Sequence, residues 1–104
     1  MESEKINLIL KDGRGDYNSD YILKLTDHFL QYFAKRFGYD NLIEFKVYSK
    51  EANKPGTEKI FEMHVELFTT FGIFHAEKSE WKDTIEFREI IHVLKEQLEQ
   101  LNKH

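Results

Sequence analysis

Residues 61–101 constrain the fold more than any other part of this chain, because they join a hairpin to one amphipathic helix. Phe61, Met63, Val65 and Leu67 alternate with Glu62, His64 and Glu66, the period-two pattern of a strand with one buried face. Thr69-Thr70-Phe71-Gly72 turns the chain, and residues 73–77 return as a second strand. Asp83, with Glu86 three residues on, forms a capping-box-like helix start. Phe87, Ile90, Ile91, Leu94, Leu98 and Leu101 then recur at helical spacing as a single apolar stripe. Such a stripe needs a sheet to cover it, and the rest of the chain has to supply the other strands.

It does so. In residues 5–11, Ile6, Leu8 and Leu10 alternate with Asn7 and Lys11, although Ile9 breaks the pattern. A turn-rich loop, Asp12-Gly13-Arg14-Gly15-Asp16, follows. Asn18, Ser19 or Asp20 can cap a helix that runs to Phe37, and Gly38 stands where a glycine stops one. The stripe of that helix is Ile22, Leu25, Phe29, Phe33 and Phe37. Residues 42–48 read as a strand with Ile43, Phe45 and Val47 facing the core and Glu44, Lys46 and Tyr48 facing away. Asn53-Lys54-Pro55-Gly56 is a loop before the next strand.

The order β-α-β-β-β-α predicts an α+β two-layer sandwich, a four-stranded mixed sheet with both helices on one face. The first connection contains a helix, so strand 1 should lie parallel to a neighbour. The expected core is Phe29, Phe33, Phe45, Val65, Leu94 and Leu98. On the other sheet face, Glu44, Lys46, Tyr48 and Lys50 should meet Ile60, Glu62, His64, Glu66 and Phe68. That face reads as solvated, with a docking or homodimer surface as the alternative.

The chain of 104 residues suits one domain, 1–104, and its nine Phe, five Tyr and one Trp are ample for its core. With no cysteine, disulfide and thiolate chemistry are excluded. No apolar run approaches the roughly 18–20 residues of a membrane helix, and residues 1–20 lack the pattern of a secretory signal. A cytoplasmic protein without a membrane partner is expected. The net charge of −4, from 15 basic and 19 acidic residues, is not that of a generally basic nucleic-acid binder. A local basic face is still compatible with it, because fields depend on where charges sit.

His28, His64, His75, His92 and His104 lie on separate elements, with no pair at the spacing of a metal motif, so no cofactor or metal is expected. His64 and His75 become cross-strand neighbours if the turn pairs them, yet two imidazoles without a third ligand bind weakly. No serine sits in a nucleophile elbow, and the carboxylates fall on exposed faces. The reading is not an enzyme. Arg14-Gly15-Asp16 is a chance adhesion tripeptide, and Gly13 and Gly15 lack the lysine of a phosphate loop. The first helix carries more: Lys24, His28, Gln31 and Lys35 form a polar, partly basic stripe that Arg36 extends. It reads either as a solvated helix face or as a track for phosphates.

The element order and length resemble the ribosome hibernation-promoting factor family (protein Y, or ribosome-associated inhibitor). The end of the chain carries most of the likeness: Gly72-Ile73-Phe74-His75-Ala76-Glu77 closing a hairpin, Asp83 at a helix start, then Ile90-Ile91 and Leu94-Lys95-Glu96-Gln97-Leu98-Glu99-Gln100-Leu101. Double-stranded-RNA-binding domains share the α-β-β-β-α portion. With an end at His104, the resemblance implies the short form, without the extra dimerisation domain of longer members. The resemblance implies rRNA binding on the small ribosomal subunit, in the channel for messenger and transfer RNA, and inhibition of translation under stress. It implies contacts from basic residues on both helices and adjoining loops, here Lys24, His28, Lys35, Arg36, Lys54, Lys82, Arg88 and Lys95. Where the family often presents Lys or Arg on the second helix, this chain has Val93, Glu96 and Gln100, and Glu86, Glu89, Glu96 and Glu99 repel phosphate. The alternative is a diverged protein–protein interaction module of the same fold, without RNA, self-associating through the sheet face or an edge strand.

Overall fold

Alternating strands and striped helices sort the chain into β1 (Ile6–Ile9), α1 (Ser19–Phe37), a 3₁₀ turn (Tyr39–Asn41), β2 (Leu42–Asn53), β3 (Lys59–Thr69), β4 (Gly72–Glu80) and α2 (Phe87–Leu101). The structure, a computed structural model, describes residues 5–9, 19–53, 59–80 and 87–101. The four strands lie in the order β1-β2-β3-β4. β1 runs parallel to β2, with Ile6 opposite Phe45 and Leu8 opposite Val47, and α1 supplies the crossover that a parallel pair requires. β2 with β3, and β3 with β4, are antiparallel hairpins. This is the expected α+β architecture with a mixed sheet.

One core lies between sheet and helices. Phe45, Val47, Met63, Val65, Leu67 and Ala76 from the sheet pack with Ile22, Phe29, Leu30 and Phe33 of α1 and Phe87, Ile90, Ile91, Leu94 and Leu98 of α2. All six residues expected at its centre are fully buried. α1 buries a wider arc than its stripe, since Thr26 and Leu30, four residues apart on one flank, are enclosed too. A helix laid on a sheet covers more than one row of side chains. Leu101 is exposed. It lies within the angular range of the stripe, so the core ends before the helix does.

The strand at 42–48 requires a correction. Ile43 was expected inside, yet it is 56% exposed, while Leu42 is 1% exposed. The pairing with β3 shifts between Leu42 and Glu44, where a bulge places one extra residue on β2. An extra residue reverses the side-chain parity on one side of it. From Glu44 onward the expected alternation holds. β2 and β4 also extend beyond the predicted 42–48 and 73–77.

Gly38 ends α1 as expected. Its N–H donates to the Ala34 carbonyl at 3.0 Å, and its φ of +91° is a conformation that side chains other than glycine's disfavour. The 3₁₀ turn that follows ties this end of α1 to the β3–β4 hairpin. The Thr70 N–H donates to the Asn41 carbonyl at 2.9 Å, and the Thr70 hydroxyl donates to Asn41 Oδ1 at 2.7 Å. Phe71 lies against Phe33 and Phe37, with ring centroids 6.1 and 5.5 Å apart. Among the described residues, no helix is long and apolar enough to cross a membrane. The candidate caps Asn18 and Asp83 and the loops at 12–16 and 54–56 lie outside the described residues, whereas Ser19 and Asp20 fall inside α1 and Asn53, expected in a loop, ends β2.

Candidate nucleic-acid interface

Lys24, His28, Gln31, Lys35 and Arg36 are all exposed on α1; the first four share one side, because they recur at three- and four-residue spacing, and Arg36 lies about 100° farther round the helix. With about 1.5 Å of rise per residue, Lys24 and Lys35 lie roughly 16 Å apart along the axis. His28, Gln31, Tyr32, Lys35 and Arg36 line a shallow hollow of ≈ 350 Å³. Gln31 is held by a side-chain bond to Asp27 at 3.0 Å.

Tyr32 is the hub of this surface, and charge spacing alone did not single it out. Its hydroxyl donates to Glu99 of α2 at 2.6 Å. The Arg36 guanidinium pairs with the same carboxylate at 2.9 Å. Lys95 Nζ lies 4.9 Å from the Tyr32 ring centroid, and Arg36 Cζ lies 5.9 Å from it, both within cation–π range. Burial, the bond to Glu99 and the charge of Glu99 push the Tyr32 hydroxyl up to about 12, against a smaller downward pull from Arg36. Tyr32 is therefore a neutral donor across the physiological range. The aromatic at i+4 from His28 and i−4 from Arg36 was the available sequence signal.

Lys95 meets Tyr32 and Glu99 meets Arg36, so the two helices run in the same sense. Arg88 precedes Lys95 by seven residues, nearly two full turns, and shares its side of α2. It is exposed. The fold thus brings Lys24, His28, Lys35, Arg36, Arg88 and Lys95 to the outer surface of the helix layer. Lys54 and Lys82 lie outside the described residues. Other cations go elsewhere. Lys46 sits on the open sheet face, 5.5 Å from the Tyr48 ring. Lys78 pairs with Glu89 at 2.6 Å, and Lys5 lies over Tyr39 at 4.3 Å.

Acidic groups interrupt the surface. Glu99 occupies Arg36, His92 pairs with Glu96 at 3.3 Å, and Val93, Glu96, Gln97, Glu99 and Gln100 line a second hollow of ≈ 470 Å³ on α2. Among the described residues, α1 carries more of the exposed cations, Lys24, Lys35 and Arg36, against Arg88 on α2.

A second cluster occupies the open sheet face. His64 stands opposite Glu77 across the β3–β4 ladder, and His75 stands opposite Glu66. His64 Nδ1 approaches His75 Nε2 at 3.3 Å and Glu77 Oε1 at 3.1 Å, while His75 Nε2 lies 3.7 Å from the same oxygen. The hairpin supplies the third donor that linear spacing did not reveal. Glu62 Oε1 takes the other ring nitrogen of His64 at 3.2 Å, and Tyr48 stacks on the imidazole with centroids 4.9 Å apart and planes 4° from parallel. Burial, then Glu66 and Glu77, push the Tyr48 hydroxyl upward. The chain matches no protein-family model, and no curated protein matches it.

Proposed function

We propose that this protein is a ribosome-associated RNA-binding factor that acts in the cytoplasm on the small subunit and inhibits translation without catalysing a reaction. One observation carries the reading. Laying α1 beside α2 gathers His28, Lys35, Arg36 and Lys95 around Tyr32, with Lys24 and Arg88 exposed farther along the two helices. Cations spaced along a rigid helix suit a phosphate backbone, and an aromatic ring among them suits an unstacked base. The resemblance in element order, and in the run from Gly72 to Leu101, supports the small subunit as the target.

Co-sedimentation with small subunits tests it. If three phosphates are engaged, a slope of about −0.7 per phosphate predicts a roughly 20-fold loss of affinity for a fourfold rise in salt. Replacing Lys24, Lys35 and Arg36 together by Glu should abolish binding and leave the fold intact, since all three are exposed. Failure of the wild-type chain to bind subunits at low salt would sink the reading.

A second reading rests on Glu99 and the acidic α2 surface, which subtract from the phosphate track. In it the domain is a protein–protein interaction module. The exposed Ile9, Ile43 and Ile73, and the edge strands β1 and β4, then offer routes to a homodimer. A chain that ignores subunits but sediments as a dimer would support this reading.

A further inference from the structure

We propose that the open face of the β3–β4 hairpin holds a divalent transition-metal site of zinc type, with His64 Nδ1, His75 Nε2 and Glu77 Oε1 as protein ligands. This inference is independent of RNA binding, because the cluster lies on the sheet face and the cationic track lies on the helix layer.

The geometry comes first. The three candidate atoms are 3.3, 3.1 and 3.7 Å apart. Around a tetrahedral ion with bonds of about 2.0–2.1 Å, neighbouring ligand atoms are about 3.3–3.4 Å apart. Cis ligands of an octahedral ion at similar bond lengths stand closer, at about 3.0 Å. The observed triangle fits one face of the tetrahedron. Its three corners share a point about 2.0–2.1 Å from each atom, just outside their plane, where an ion can sit without moving the backbone.

The chemistry of the donors agrees. Two imidazoles and one carboxylate suit zinc and its neighbours among the divalent metals. Glu62 Oε1 lies 3.2 Å from Nε2 of His64, and with the ring proton on that nitrogen the Nδ1 lone pair faces His75 and Glu77. A carboxylate behind a ligating histidine is the usual outer partner of such sites. The same arrangement without a cation would set a lone pair against the Glu77 carboxylate at 3.1 Å. A proton on Nδ1 can serve one neighbour at a time, whereas an ion serves all three donors together.

The site is also held in place. The ladder sets Tyr48 opposite His64 and His64 opposite Glu77. Tyr48 clamps the imidazole plane, and Gln97 of α2 donates to the His75 carbonyl at 2.9 Å. The His64 side chain is 11% exposed, but those of His75 and Glu77 are 41% and 56% exposed. The ion therefore has an entry path, and a fourth position open to water or an external ligand. Glu44, Glu62, Glu66 and Glu77 share this face with Lys46 and Lys50, and the excess of carboxylates draws cations.

The test titrates the full chain with zinc chloride by calorimetry, and with cobalt(II) chloride by visible absorption. Expected are one ion per chain, a four-coordinate cobalt spectrum and a melting temperature that rises with zinc concentration. His75→Ala and Glu77→Gln, both at exposed side chains, should abolish the stoichiometric binding and the thermal shift while keeping the far-UV spectrum. Glu62→Gln should weaken binding by about 10- to 100-fold, as loss of an outer-shell partner does. His92→Ala, on the far helix, should leave binding unchanged. Absence of stoichiometric binding, binding unmoved by His75→Ala and Glu77→Gln, or a six-coordinate cobalt spectrum would each overturn the proposal.

Discussion

Truncating Leu42 and Ile43 separately to alanine asks whether the bulge at the start of β2 exists. The two residues are adjacent and similar in volume, but Leu42 is 1% exposed and Ile43 is 56% exposed. Leu42→Ala removes a fully enclosed side chain and leaves a cavity, a change that costs about 2–5 kcal/mol. Ile43 has less than half of its surface to lose, so its truncation forfeits under half of the roughly 1.5–3 kcal/mol of full burial, or about 1 kcal/mol. In a domain of this size each kcal/mol lowers the melting temperature by about 4–8 °C. Leu42→Ala should therefore lower it by about 10 °C or more, and Ile43→Ala by about 4–8 °C. Thermal melts and urea titrations followed by far-UV circular dichroism measure both. Equal costs, or a greater cost for Ile43→Ala, would show that β2 alternates without interruption from its first residue and that the bulge is absent.

Three further outcomes are expected. Thr26 is fully buried on α1, with its hydroxyl unpartnered among the described residues. Thr26→Val should therefore stabilise by about 1 kcal/mol in urea titrations, and a loss of stability would reveal a hydroxyl partner. The Tyr32 hydroxyl is raised to about 12, so its contribution to stability is complete below the unfolded value near 10 and is lost as pH rises from there through 12. Melting temperatures between pH 9 and 12 should fall less steeply in Tyr32→Phe than in wild type, and equal slopes would refute the assignment. Glu99→Gln frees Arg36 for phosphate, and one added contact is worth about fivefold in affinity for single-stranded RNA near 0.1 M salt. Unchanged or weaker binding in filter assays would place the RNA elsewhere.

Local pattern made most of the architecture legible. Alternation in Met63, Val65 and Leu67, and the stripes of Phe29 with Phe33 and of Leu94 with Leu98, are properties of short windows. Gly38 marked the end of α1 for an equally local reason, its positive φ. The site was read less completely. Lys24, His28, Lys35 and Arg36 were visible as one stripe, but Tyr32 looked like any half-buried helix residue until Glu99 and Lys95 were set against it. The distances of 67 and 63 residues that separate Tyr32 and Arg36 from Glu99 leave no trace in any window.

The element order, the two helix stripes and the inward residues of β3 follow from backbone periodicity and the burial of apolar surface, both local properties of the chain. The remaining features arise from contacts between elements. Pairing with β3 placed the bulge that turned Ile43 outward and Leu42 inward. Packing of α2 beside α1 joined Arg36 and Glu99. The ladder register of a two-residue hairpin brought Glu77 to His64 and His75. Each of these depends on which residues face one another across elements, and a one-residue shift in pairing would undo it.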